Sequence, residues 1–231
     1  MNNPYFLPTK STMSGKKNII EQRGPGRPKK QDVRESRELL LNAVGEIIKE
    51  EGFTGLTASN VARRAGVARK LIYWYYKSFD GLLKTFIQER DYWTPVFKKI
   101  GKLRSPERNT IRDFLIKIFQ EQFRHFATDA EMQEFIRWQV SVSIPILKEI
   151  SEEREFQGAA LARLTDDYFK DGDINLRAIL GIILGGVYYL NWHADKNGSS
   201  VCGIDINKPK DREAVDKTIG QLIGWAFEKA Q

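Results

Sequence analysis

From Leu40 to Phe227 the apolar residues of this chain recur at every third or fourth position, stripe after stripe, and no alternating run is long enough to suggest a strand. A period near 3.6 lines side chains along one helix face, whereas a strand needs a period of two. Leu40, Leu41, Val44, Ile47 and Ile48 share the first such face, from about Arg34 until Gly52 stops it. Ile111, Phe114, Leu115, Ile118, Phe119, Phe123 and Phe126 make another, with Ser105-Pro106-Glu107 as its start signal. Met132, Phe135, Ile136 and Gln139 follow and end near Pro145, and Ile146, Leu147, Ile150, Ala160, Leu161, Leu164 and Tyr168 continue the pattern. An apolar helix capped by Asp173 is predicted to run to about Lys196. After a loop at 197–210, rich in Gly, Ser and Asn, Val215, Ile219, Leu222, Ile223, Ala226 and Phe227 mark the last helix. The spacing predicts an all-α fold.

Charge divides the same chain unevenly. Residues 1–80 hold 15 Lys or Arg against 8 Asp or Glu, while residues 81–231 hold 22 of each, so the first third carries the whole net charge of +7. A cationic head on a neutral body suits a polyanion-binding module joined to a second, uncharged function. A basic tail that only aids solubility would show the same arithmetic. With a single cysteine, Cys202, a disulfide framework is excluded. Two distant histidines, His125 and His193, leave little for a metal, and neither metal nor cofactor is expected. The segment 167–178 imitates a calcium loop, but Phe169 and Ala178 stand where oxygen ligands are required. No nucleophile elbow, phosphate loop or zinc-protease motif appears, and no enzyme activity is expected. The longest apolar run, 178–190, falls short of the roughly 20 residues a bilayer helix needs. A cytoplasmic location away from membranes is the expectation.

The chain therefore divides into three expected parts: a disordered basic arm at 1–30, a DNA-binding domain at 31–80 and a helical body at 81–231. The stretch 56–83 reads LTASNVARRAGVARKLIYWYYKSFDGLL. Thr57 is a candidate cap for a short helix over 58–65, Gly66 breaks it, and a second short helix runs from about Ala68 to Tyr76. Val61, Ala62 and Ala65 should pack on the Leu40–Ile48 face, and Val67, Leu71 and Ile72 should anchor the second helix inward. Arg69, Lys70, Tyr73 and Tyr75 would then be the more exposed side chains. Two helices joined in this way, the second basic and aromatic, form a helix-turn-helix pattern, and such a helix fits a DNA major groove.

With the helix before it, this stretch resembles the amino-terminal domain of the tetracycline-repressor-like (TetR) family of bacterial transcription regulators. The resemblance spans about residues 34–83 and rests on Leu56-Thr57, Val61-Ala62, Ala65-Gly66-Val67, Tyr73, Tyr75-Tyr76 and Leu82-Leu83. It implies that Thr57 caps its helix and touches a phosphate, that Ala68, Arg69 and Lys70 face bases, and that Tyr73 and Tyr75 bind the phosphate backbone. Phe79 stands where the family commonly has Lys, with Lys77 nearby as its substitute, and Ala68 replaces a usual Ser or Thr. Upstream, Gly24-Pro25-Gly26-Arg27-Pro28-Lys29-Lys30 resembles an AT-hook, in which Arg27, flanked by Lys29 and Lys30, enters a narrow minor groove.

For the body, the resemblance implies that the last two helices pair with a second copy of the chain. The residues agree: Ile179, Ile182, Ile183, Gly185, Gly186, Tyr189 and Leu190 make the first of them apolar nearly all round. Ile182, Gly185, Gly186, Tyr189, Ile219, Leu222, Ile223 and Ala226 are the expected interface. Between Gly81 and Lys170 the helices would enclose an effector pocket lined by Tyr92, Trp93, Phe97, Phe119, Phe123 and Trp138, with Gln139, Tyr188 and His193. The expected partners are double-stranded DNA, a bulky hydrophobic or aromatic effector and a second copy. The expected function is a ligand-responsive, sequence-specific regulator, more a repressor than an activator, that leaves a palindromic operator when its effector binds. The rivals are a non-specific architectural DNA-binding protein and a carrier or enzyme whose basic head is incidental.

Overall fold

The computed structural model describes residues 30–103 and 107–230, with side chains from Val33 onward, and among them only helices and connecting turns are found apart from one isolated bridge, Val201 to Ile204. Helix α1, Lys30–Glu51, buries Leu40, Val44 and Ile47 completely and ends at Gly52, whose φ of 67° lies in the left-handed region open to glycine. It starts at Lys30, inside the segment expected to be a disordered arm and earlier than Arg34, because the polar first turns carry no apolar period to announce them. A 3-10 turn, Phe53–Gly55, leads to α2, Ala58–Arg64, and α3, Lys70–Tyr76. The second short helix thus opens at Lys70 rather than Ala68.

Helix α4, Phe79–Arg90, gives way to α5, Trp93–Ile100. The interruption is Asp91. Its backbone turns extended (ψ 126°), its N–H closes α4 on the Ile87 carbonyl at 2.8 Å, and its Oδ2 accepts the Thr94 N–H and hydroxyl at 3.0 and 3.1 Å. The carboxylate thereby serves as the start cap of α5. Helix α6, Arg108–Phe126, follows Glu107, and the Ser105-Pro106 start signal lies outside the described residues.

Helices α7, Ala130–Ser141, and α8, Pro145–Phe169, begin with Asp129 capping Met132 and with Pro145 at the first turn. Helix α9, Leu176–Asn197, is capped by Asn175, whose Oδ1 accepts the Ala178 N–H at 3.0 Å, and not by Asp173. Both types cap well, so only the register of the turn separates them. Helix α10, Pro209–Lys229, starts within the expected loop.

The body is organised around α6, whose Ile111, Leu115, Phe119, Phe123 and Phe126 are buried, with α9 and α10 packed along it. Its approach to α10 is close at Gly220, where a β-carbon would stand 3.3 Å from both Ile116 and Gln120. The Arg108 guanidinium donates to the Phe227 and Ala230 carbonyls, closing the carboxyl end of α10, where acceptors have no partner within the helix. Trp192 ties α9 to α7 by donating to the Gln133 carbonyl at 3.1 Å.

Candidate nucleic-acid interface and effector cavity

The angle between α2 and α3 comes from local chemistry. Thr57 Oγ1 accepts the Asn60 N–H at 3.1 Å and caps α2. At the other end Gly66 has φ 66°, its N–H bonds the Arg63 carbonyl at 3.2 Å, and Val67 N–H bonds the Ala62 carbonyl at 3.1 Å. These paired bonds are the Schellman arrangement, which turns the chain sharply and satisfies orphan carbonyls. Val61 and Ala62 are buried against α1. Arg64 reaches Glu50 at 2.6 Å and Glu51 at 2.8 Å, so this cation braces α2 to α1.

Helix α3 is held from beneath by Ile72, fully buried, and by Tyr76, whose hydroxyl donates to the Arg37 carbonyl at 3.0 Å. Its next helix crosses closely: a β-carbon on Gly81 would stand 2.1 Å from the Tyr76 carbonyl oxygen, so only glycine fits. The Ser78 hydroxyl accepts the Gly81 N–H at 2.9 Å to start α4. On the outer side Ala68, Arg69, Lys70, Tyr73 and Lys77 are exposed. Arg69 donates to the Tyr73 hydroxyl at 3.2 Å and lies over that ring, so the two long side chains brace each other. Tyr75, expected to be exposed, is half-buried against the core, and the residue that stands out is Trp74, with 62% of its surface in water. Four successive aromatic residues carry no period of their own, so only the helix register decided which would point outward. Phe79, in the place of the usual lysine, packs partly on the core. Arg27 and Lys29 lie outside the described residues, and Lys30 is the first residue of α1.

Helices α5 to α9 surround a cavity of about 750 Å³. Trp93, Phe97, Phe119, Gln139 and Tyr188 line it, as do Ile136, Leu161, Leu180 and Arg154. Four expected lining residues do not. The Tyr92 hydroxyl is engaged with the Ile118 carbonyl at 2.8 Å, and burial pushes its ionisation well above the ordinary range. Phe123 is buried in the α6 core. Trp138 stacks on Phe53 with ring centres 4.1 Å apart, which joins α7 to the 3-10 turn of the head. His193 is turned towards the Ser199 carbonyl, 3.1 Å from Nδ1. Helical spacing placed all four on plausible faces, but a stripe of aromatics does not say which neighbour each will meet.

The outward faces of α9 and α10 carry Ile182, Tyr189, Leu222 and Trp225, all exposed, with Ile182 at 74%. Nothing in the described chain approaches within 4 Å of where β-carbons on Gly181, Gly185 and Gly186 would stand. Ile219, Ile223 and Ala226, expected on this face, are instead buried, turned inward on α10. Trp225 takes their place outside. Among the described residues no helix is long and apolar enough to cross a membrane, and no group of three His, Cys, Asp or Glu side chains could hold a metal ion.

A short capped helix pair that displays a basic, aromatic third helix on an all-helical body is the architecture of a helix-turn-helix protein. Residues 40–85 match the family model described as bacterial regulatory proteins, tetR family. The fold is similar to that of solved structures. A TetR family transcription regulator from Marinobacter aquaeolei aligns at a TM-score of 0.59 and 16% identity, covering 87% of this chain and 98% of that one. The transcriptional regulator FadR from Bacillus subtilis in complex with stearoyl-CoA gives 0.57 at 17% identity, covering 80% and 96%. The fatty acid degradation regulator FadR from Bacillus halodurans gives 0.56 at 17% identity, covering 88% and 96%. No curated protein matches by sequence.

Proposed function

We propose that this chain is a homodimeric, sequence-specific DNA-binding regulator that releases a palindromic operator when a small apolar effector enters the body. One observation carries the proposal: Arg69, Lys70, Tyr73 and Trp74 stand exposed on a helix whose opposite side is locked to the head by Ile72 and Tyr76. Arg69 and Lys70 are the base-facing candidates, since Arg and Lys meet guanine edges in the major groove. Thr57, Tyr73, Trp74 and Lys77 are placed to meet phosphates, while Tyr75 is the poorer candidate because it is half-buried. The arm adds a minor-groove contact through Arg27, and Arg27→Ala should weaken operator binding several-fold where the flanks are AT-rich. Equal losses on AT-rich and GC-rich flanks would remove that contact.

The division of labour follows the charge: head for DNA, residues beyond about 80 for effector and pairing. The exposed apolar face of α9 and α10 would meet its copy, setting two recognition helices about 34–36 Å apart on successive major-groove faces. The cavity has the size and apolar lining of small-molecule sites, and the similarly folded Bacillus subtilis FadR was solved with stearoyl-CoA. An effector that prefers a conformation with misplaced recognition helices must lower DNA affinity, and DNA must lower effector affinity by the same factor, about 5- to 150-fold for a coupling of roughly 1–3 kcal/mol. Selection of bound sites from a random DNA library tests the proposal. An inverted repeat that survives excess random DNA supports it; recovery without sequence preference would mark an architectural protein instead.

A further inference from the structure

Of the charged side chains that line the cavity, Glu155, Arg163, Asp166 and Arg177 are exposed, and Arg154 is the enclosed one. Arg154, on α8, has 16% of its side chain exposed and donates through Nη2 to Asp91 Oδ1 at 2.6 Å. Its Nη1 stands 3.5 Å from Gln139 Oε1, and its buried Nε has no acceptor among the described residues. A guanidinium presents five donors in a planar fork that matches both oxygens of a carboxylate at once. Asp91 supplies one oxygen only, because Thr94 occupies the other. The most enclosed cation of the cavity is therefore under-coordinated. Tyr188, whose hydroxyl is pushed up by burial, lines the same cavity. The apolar part of the wall includes Trp93, Phe97, Phe119 and Leu180.

We propose that the effector is an amphipathic carboxylate whose head takes the Arg154 guanidinium from Asp91 while its tail lies among Trp93, Phe97 and Phe119. This rests on the effector-responsive reading above and names its ligand class. A neutral head has no means of separating the two charges, whereas a carboxylate replaces one anion by another at the same cation. Asp91 is 5% exposed, and a buried carboxylate stripped of its cation is costly, so it must move. Asp91 closes α4 and caps α5, and α4 packs on both α3 and α1. Displacement of one side chain thus reaches the recognition helix through a single intervening helix.

The test is calorimetric titration of the full chain with decanoate and with 1-decanol. Decanoate should bind at least tenfold more tightly. Arg154→Gln should abolish the preference, leaving both ligands at the affinity of the alcohol. Asp91→Asn, which removes the competitor and keeps the cation, should raise decanoate affinity several-fold. Arg154→Gln strands Asp91, so the double variant D91N/R154Q, neutral at both positions, keeps the comparison readable if the single variant unfolds. Equal affinities for the two ligands, no binding of either, a preference that survives in the folded double variant, or decanoyl-CoA binding more tightly than decanoate would each overturn the proposal. Operator binding measured on the same samples separates the two readings. Specific DNA binding without carboxylate preference sinks this inference alone, while carboxylate preference without specific DNA binding sinks the regulator reading.

Discussion

Two surfaces of this molecule lack a partner among the described residues, and they differ in chemistry. The outer side of α3 offers Arg69, Lys70, Tyr73 and Trp74; the outer side of α9 and α10 offers Ile182, Tyr189, Leu222 and Trp225. Cationic groups in water are at little disadvantage, and they await a polyanion whose bound counterions can be released. Large aliphatic groups in water forgo about 25 cal/mol for each Å² that a partner would cover. Exposure alone is thus ambiguous, and the chemistry of the exposed atoms indicates which kind of partner each surface fits.

The largest effect should come from breaking the apolar surface. Ile182→Glu sets a charge on the proposed pairing face at a side chain that is 74% exposed and outside the protomer core. Sedimentation should show single copies, and operator affinity should fall by about 10²–10⁴-fold because the second half-site no longer benefits from linkage. A dimer that survives this change would place the interface elsewhere. Next comes the cationic surface. Arg69→Ala should cost roughly 1–3 kcal/mol at one base position if the contact is two-pronged, and a library selection should relax at that position only. Unchanged preference would demote Arg69 to a backbone contact.

Smaller effects sharpen the contrast within α3 itself. Tyr76→Phe removes the bond to the Arg37 carbonyl and should lower stability by about 0.5–1.5 kcal/mol, leaving the folded protein's DNA affinity intact. Trp74→Ala should do the reverse: an unchanged melting temperature with operator binding weakened several-fold. If Trp74→Ala destabilises the protein and spares DNA binding, its outward position has no functional meaning.

How much of this was legible beforehand follows from the range of the forces involved. Thr57 and Gly66 could be read as cap and turn because each acts on backbone within three residues of itself. The all-α architecture was equally legible, since burial of one helix face imposes its period on the sequence. Asp91 was not: Arg90 and Asp91 interrupt the apolar period for a single turn, Trp93, Val96 and Phe97 resume it, and the bond to Thr94 that makes the cap is seen only in the folded chain. Nor could Trp74 and Tyr76 be told apart, or Ile219 and Trp225. On a helix with apolar residues on several sides, the inward face depends on what packs against it, and that is information about other parts of the chain. Arg154 gave no signal at all: as one of many charged residues on a long helix, it acquires its role only through a carboxylate 63 positions away.

The smallest effect concerns the inner side of α10, which supports the apolar surface from behind. Burial pushes the Asp216 carboxyl above its ordinary value, with Arg124 at 3.2 Å opposing. A folded-state value raised above the unfolded one means that the folded protein holds this proton more tightly. Its contribution is therefore fully present below the unfolded value of about 4 and is lost as pH rises through the folded value. Asp216→Asn, which cannot ionise, should flatten the fall in stability just above pH 4 in denaturant titrations, with little change below it. The Gln120 side chain donates to the Asp216 backbone carbonyl rather than to its carboxylate, so the α6–α10 contact survives the substitution. An unaltered pH slope would mean that Arg124 fully offsets the burial, and would make the pair neutral to the helix that presents Leu222 and Trp225.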